Sequence, residues 1–345
     1  MNRAAIAFLV MLAAPPALAQ AQQAAPTTAQ PPAQQRSAPA RAATQKPAAP
    51  AQAAAQPEAP QPPSGDVAFG AYQSGLYITA AQEAIKRVRA GNDPAAMTLL
   101  GELYARGFGV PYDPPRAAEY YRRAGQAGDA NAMFALGMMY LTGQGVAQSD
   151  ADAAKWFEQA ANKGHGPAAY NLALLYMQGR PFPSDFSVAA KWFRQAANAG
   201  VSDAQYALAV LLKEGNGVAP DKAAAMKLMR EAATQGHVTA EVELAIATFN
   251  GDGVPKDEAA AAQLFRKAAL GGNAIAQNRY ARLLSVGRGV PQDRLAAAKW
   301  HLLAKARGLG DPYLDQVVAS LPEADRKKAE ETARKWAVNT ADAKL

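Results

Sequence analysis

Apolar and small residues return along this chain at helical spacing, and the helical pattern itself returns at one fixed interval. Leu100, Leu136, Leu172, Leu208 and Leu244 form one column, each followed by a small residue (Gly101, Gly137, Ala173, Ala209, Ala245). Tyr104, Tyr140 and Tyr176 lie four positions beyond the leucine, on the same face of a helix. Each such helix is predicted to stop at Gly107, Gly143, Gly179, Gly215, Gly251 or Gly287, spaced 36 residues apart without a slip, because glycine takes the left-handed conformation that closes a helix. A second helix then starts at Asp113, Ser149, Asp185, Asp221, Asp257 or Asp293, all residue types whose side chains accept from free N–H groups at a helix start. Inside it, Ala117, Ala153, Ala189, Ala225, Ala261 and Ala297 are followed three residues later by Tyr120, Trp156, Trp192, Leu228, Leu264 and Trp300, and four further on by alanines from Ala124 to Ala304. This predicts bulky core knobs between small residues, with the helix ending at Gly128, Gly164, Gly200, Gly236, Gly272 or Gly308.

Such a chain is an all-α tandem array in which each unit rests on its neighbours. The flanks are worn copies. Over residues 65–94, Ala81, Ala84 and Val88 keep the register of Ala117, Tyr120 and Ala124 while the glycine loop is blurred, as suits a unit with one face to water. After Gly308 the period lapses over residues 309–345. Leu314, Val317, Val318 and Leu321 predict a short amphipathic helix, and Ser320-Leu321-Pro322-Glu323 has capping-box spacing for a last helix to about Trp336.

Composition changes the picture mainly at the N-terminus. Arg3, the apolar run Ala4 to Leu12 and the ending Ala17-Leu18-Ala19 have the form of a secretory signal over residues 1–19, and Pro15-Pro16 interrupts a run already too short for a membrane helix. From Gln20 to Ser64 the sequence is Ala, Gln and Pro with hardly a large apolar side chain, which predicts a disordered tether able to reach on the order of 130 Å at 3.1 Å per residue. The expected mature protein is therefore exported, periplasmic with secretion as runner-up, and without a membrane span. The net charge is +7, of which +4 belongs to residues 65–345; acids interleave with the bases, so no nucleic-acid partner is expected. The absence of cysteine excludes disulfides, thiolate metal sites and a lipid-modified N-terminal cysteine.

Chemistry is hard to place on this pattern. His165 and His237 share a column two periods apart and His301 lies in another, so they do not converge on a metal. The Gly-x-Gly-Val loops lack the following Lys-Ser/Thr and the preceding strand of a phosphate loop. Neither Ser-x-x-Lys nor Gly-x-Ser-x-Gly occurs, and each recurring Asp serves as a helix cap. The expectation is a non-enzymatic chain with no catalytic residues, cofactor or metal; a hydrolase is the least favoured reading.

The units Leu136-Gly137-x-x-Tyr140, Gly143-x-Gly145-Val146 and Ala153-Ala154-x-Trp156-Phe157-x-x-Ala160-Ala161-x-x-Gly164 resemble the Sel-one-like repeat, a branch of the tetratricopeptide superfamily. The likeness runs over six units within residues 95–308; Gly179-Arg180-Pro181-Phe182 departs from it by lacking the second glycine and the valine. It implies a right-handed α-solenoid of six to seven antiparallel helix pairs with a helical C-terminal cap. Relatives of this kind act as adaptors in signalling, secretion and envelope assembly, including periplasmic regulators of membrane sensors and scaffolds of exopolysaccharide export. In the tetratricopeptide pattern the columns two before and two after the leucine line the concave groove. They hold Thr98, Phe134, Tyr170, Tyr206, Val242 and Asn278, and Glu102, Met138, Leu174, Val210, Ile246 and Arg282. The apolar middle of these columns, with Glu214 and Asn250 at the rim, predicts a trough for a peptide or helix of an envelope protein, unless these positions are packing between first helices. A peptidoglycan- or polysaccharide-binding module is the alternative, disfavoured by the expected burial of Trp156, Trp192 and Trp300.

Overall fold

A computed structural model describes residues 66–342; the expected signal peptide (1–19) and tether (20–64) lie outside the described residues. Among the described residues there are sixteen helices and no strand. A short pair, α1 (Val67–Gln73) and α2 (Tyr77–Gly91), opens the array. The hairpins α3 (Pro94–Arg106) with α4 (Pro114–Gln126), α5 (Ala130–Thr142) with α6 (Asp150–Asn162), and α7 (Gly166–Gln178) with α8 (Phe186–Asn198) follow. Next come α9 (Ser202–Glu214) with α10 (Lys222–Thr234), α11 (Val238–Asn250) with α12 (Glu258–Leu270), and α13 (Ala274–Val286) with α14 (Arg294–Ala306). Helices α15 (Pro312–Ala319) and α16 (Glu323–Asp342) close it. From α1 to α14 each helix packs on its successor, and α14 packs on both α15 and α16. The result is an α-solenoid in which the hydrophobic interior passes from one hairpin to the next. No helix among the described residues is long and apolar enough to cross a membrane.

The caps follow the chemistry expected of them. Asp113, Ser149, Asp185, Asp221, Asp257 and Asp293 each accept from a backbone N–H of the first turn of a second helix. First helices end on the glycines of the repeat, all left-handed. The start of the first helices is a column the sequence reading passed over: Asp93, Asp129, His165, Val201, His237 and Asn273. Here the histidines work as caps. Nδ1 of His165 accepts from the Ala168 N–H at 3.1 Å and Nδ1 of His237 from Ala240 at 3.1 Å, which requires the neutral ring. Only Val201 in this column has no side-chain cap bond.

One core column differs from expectation. The buried knobs of the second helices are Tyr121, Phe157, Phe193, Met229, Phe265 and His301, whereas Trp156 and Trp192 are half-buried and only Trp300 of the expected tryptophans is enclosed. Periodicity does not separate the two columns, since positions three and four beyond the alanine share one helix face. The partner does: the buried ring lies against the small residue after the leucine, where a Cβ on Gly137 would stand 2.6 Å from Phe157 Cε1. Trp156 instead reaches back over the preceding hairpin at Gly125. His301 fills the knob position of the last hairpin, fully buried, with Nε2 2.8 Å from Asp315 Oδ1 and Nδ1 without a partner. The expected capping box is also absent: α16 starts at Glu323, and the Ser320 hydroxyl donates to the Val317 carbonyl at 2.8 Å.

Register between repeats is held at the loops. The second glycine of each Gly-x-Gly sits on the first residues of the preceding second helix, Gly145 on Pro114, Gly217 on Phe186, Gly253 on Lys222 and Gly289 on Glu258. In three repeats the residue after the first glycine pairs with the same helix start, thirty positions earlier: Arg180 with Asp150 at 2.8 Å, Asp252 with Lys222 at 2.8 Å and Arg288 with Glu258 at 2.7 Å. The pair of Asp252 with Lys222 has the opposite sense of charge to the other two, while the contact is kept. In the exceptional unit Pro181 takes the place of the second glycine and Phe182 stacks on Tyr176 at 4.7 Å, yet Arg180 keeps its carboxylate. Buried amides add a further link. Gln205 Nε2 donates to the Ala197 carbonyl and Gln277 Nε2 to that of Ala269, giving a second donor to carbonyls at the end of a second helix that also accept the N–H of Gly200 and Gly272.

Two predictions follow from these contacts. Gly200 and Gly217 both have positive φ (84° and 71°), but a Cβ at Gly200 meets nothing while one at Gly217 overlaps the Phe186 backbone. Chemical denaturation should therefore show Gly200→Ala costing about 1–2 kcal/mol and Gly217→Ala about 1–3 kcal/mol more; equal losses contradict the loop contact. For His165, burial lowers the pKa below its usual value against the opposing charge of Asp129. A depressed histidine contributes stability above its unfolded value of about 6.5 that is lost as pH falls through the folded value. His165→Asn keeps a capping side chain, as Asn273 does, and should lose less stability than the parent between pH 7 and pH 5. An unchanged pH dependence argues against the neutral cap.

Candidate partner-binding site

The ten residues expected to form a trough lie on four successive first helices: Phe134 and Met138 on α5, Tyr170 and Leu174 on α7, Tyr206, Val210 and Glu214 on α9, and Val242, Ile246 and Asn250 on α11. Their exposure is uneven. Tyr170, Leu174 and Val242 are 7%, 5% and 4% exposed and act as packing between helices. Phe134, Met138, Tyr206, Val210 and Ile246 are half-buried, and Glu214 and Asn250 are exposed. The apolar strip is thus shared between interior and surface.

Aromatic stacking fixes the half-buried rings. Phe134 stacks on the cap His165 with centroids 4.7 Å apart, and Tyr206 stacks on the cap His237, also at 4.7 Å. His237 Nε2 in turn lies 3.3 Å from Asp203 Oδ1, and that bond holds the Asp203 carboxyl below its usual pKa despite partial burial. Burial, then the carboxylates of Glu243 and Glu214, push the Tyr206 phenol up to about 12; burial and Asp203 do the same for Tyr170. Both phenols are therefore neutral donors at physiological pH. Glu214 accepts from Asn216 Nδ2 at 2.8 Å.

The polar ends of the two columns have another duty. Glu102 accepts from the Tyr121 hydroxyl at 2.9 Å and from Tyr72 of α1 at 3.5 Å. At the other end Arg282 and Asn278 both bond Asp311, the cap of α15, with Arg282 Nη2 to Oδ1 at 2.9 Å and Asn278 Nδ2 to Oδ2 at 2.9 Å. Burial alone would raise the Asp311 pKa, but these two partners and the Leu314 N–H outweigh it and hold the carboxyl at about 2. The polar residues that bound the strip fasten the terminal helices to the array.

A cavity of about 470 Å³ lies at the C-terminal end of the strip, between α11 and α13. Its floor is Ile246, Phe249, Phe265 and Leu283, and its mouth carries Asn250, Val286 and Tyr313 together with Arg279, Arg282 and Arg288. Of the expected residues only Ile246 and Asn250 line it. Arg282, the polar end of the second column, stands at the mouth; the remaining lining residues are not legible along single helices, because the cavity draws on α11, α12, α13, the loop after α13, and α15. Among the described residues no group of three or more His, Cys, Asp or Glu is placed to hold a metal ion; the histidines serve as two caps and one knob.

Comparison with known proteins agrees with this geometry. The Sel1 repeat model matches six consecutive segments, 94–129, 130–165, 166–201, 202–237, 238–273 and 274–309. Among solved structures, a Sel1 repeat protein from Oxalobacter formigenes is 30% identical, with a TM-score of 0.60 over 70% of this chain and 98% of its own. A protective antigen of uropathogenic Escherichia coli displaying an SLR fold is 25% identical, with a TM-score of 0.49 over 78% of this chain and 68% of its own. No functionally curated protein matches the sequence. The architecture is that of a protein-interaction repeat module, and the chain belongs to the Sel1 repeat family.

Proposed function

We propose that this protein is a non-enzymatic, exported scaffold that holds a segment of an envelope protein against the face built by its first helices, in the periplasm, as a regulator of a membrane sensor or of envelope machinery. The observation that carries the reading is the half-exposed strip of Phe134, Met138, Tyr206, Val210 and Ile246 leading into the cavity at α11 and α13. Apolar and aromatic side chains held rigid by stacking, with polar groups at their margin, suit the anchoring of a partner side chain. The recurring polar groups are engaged in caps, ion pairs and helix-end bonds, so their presence is accounted for by folding.

A second reading, a module that binds peptidoglycan or another polysaccharide, gains support from Trp156 and Trp192, which are half-buried rather than enclosed and present part of a ring to solvent. It predicts co-sedimentation with purified peptidoglycan, lost in a Trp156→Ala, Trp192→Ala double variant.

The scaffold reading is tested by placing a photoreactive amino acid in living cells at Met138 or Val210, on first helices, and at Gln159 on the exposed side of α6. Adducts to one envelope protein from Met138 and Val210 and none from Gln159 are expected. Adducts from Gln159 alone, or none from the first-helix positions, contradict it.

A further inference from the structure

The cavity between α11 and α13 differs from the repeat just before it. There, Lys213 of α9 pairs with Glu243 of α11 at 2.8 Å. One period later the same two positions are Phe249 and Arg279. A ring replaces the cation, and a guanidinium replaces the carboxylate. Arg279 is exposed at the mouth of the cavity, and none of the ion pairs and hydrogen bonds among the described residues involves it.

The other two guanidinia at the mouth are fixed from behind. Arg282 is held by both oxygens of Asp311, a carboxylate only 4% exposed. Arg288 is held by both oxygens of Glu258 at 2.9 and 2.7 Å, with its guanidinium carbon 4.5 Å from the centroid of the Phe249 ring. A guanidinium carries five N–H donors, so a bidentate carboxylate leaves further donors on each arginine while removing their conformational freedom. The mouth thus combines two oriented forks with one cation that lacks a counter-charge, above a floor of Ile246, Phe265 and Leu283. Its volume of about 470 Å³ lies in the range of pockets that take a small ligand or a single anchored side chain with its flanking backbone, and is too small for a whole helix.

We infer that this cavity binds an acidic peptide segment of the partner, in which one apolar side chain fills the floor while carboxylates on its flanking residues meet Arg279, Arg282 and Arg288. The assignment rests on the scaffold reading and names the chemistry of its ligand. Charge complementarity selects the occupant. This chain's own residues 20–64 carry Arg36, Arg41 and Lys46 against the single acid Glu58, the wrong sign for the mouth. A second copy of a chain of net charge +7 is disfavoured on the same ground. Carboxylate recognition by oriented guanidinia is geometrically specific, and a buried apolar anchor beside it separates an acidic-apolar segment from a merely acidic one.

Isothermal titration of the full chain at low salt tests this with three end-blocked peptides: a leucine flanked by aspartates and glutamates, the same peptide with lysines for the acids, and the same acidic peptide with serine for leucine. The first should bind, and the other two at least tenfold more weakly. Arg279→Glu and, separately, Val286→Asp, both at exposed positions, should weaken the first peptide at least tenfold while leaving the melting temperature unchanged. Equal binding of all three peptides, no binding of the first, or full binding by Arg279→Glu overturns the assignment. The two readings fail separately: crosslinks at Met138 and Val210 without acidic-peptide binding discard the cavity's role and keep the scaffold. Peptide binding without those crosslinks keeps the cavity site and discards the strip.

Discussion

The structure depends on how closely each second helix approaches its neighbours on both sides. Thirteen-residue helices are near the lower limit at which a helix is stable alone, so each must bury one face within its hairpin and another against the next hairpin. The alanine columns of the second helices, Ala117 to Ala297 and Ala124 to Ala304, are fully buried in every repeat, which brings backbones together and leaves room for one large knob per unit. The loop glycines complete the approach by seating each turn on the start of the helix before it. Stability is then a sum of neighbouring interfaces, with no central core to which every residue contributes.

This arrangement explains why so much of the fold was legible in the sequence. The period, the capping side chains at Asp113 and its equivalents, and the stop glycines are local chemistry repeated six times, and each copy supports the others. What escaped was set by contacts between units. The choice of Phe157 over Trp156 as the buried ring is made by Gly137 across the hairpin, not by spacing along α6. The pairing of Arg180 with Asp150 and of Asp252 with Lys222 is an interval of thirty, visible only once the loop is known to rest on the preceding helix. His165 and His237 lie two periods apart in one column, too far to share a metal; their work as caps at the start of a first helix is shared with Asp93, Asp129 and Asn273, a column whose mixed residue types conceal its common function.

The candidate site shows the same division. The strip of first-helix residues was traced from a repeating column, and the structure divides it into interior (Tyr170, Leu174, Val242) and surface (Val210, Ile246, Asn250). The cavity lies at the C-terminal end of the array, where Phe249 and Arg279 stand at the positions that Lys213 and Glu243 hold one repeat earlier and α15 brings Tyr313 to the mouth. In a repeat protein regularity builds the scaffold, and departures from it are where one surface becomes different from the rest. The polar ends of the columns make the complementary point, since Glu102 and Arg282 look like the edges of a binding trough in sequence and are the fastenings of the caps in structure.

Nearest-neighbour packing is the claim on which all of this stands, and hydrogen exchange on a Phe193→Ala variant tests it most directly. The account predicts accelerated exchange in α7 and α8, where Phe193 packs on Tyr170, and in α9, which packs on α8, with α3, α4, α13 and α14 exchanging as in the parent. A uniform loss of protection across all helices would show a single cooperative core instead, and would contradict it.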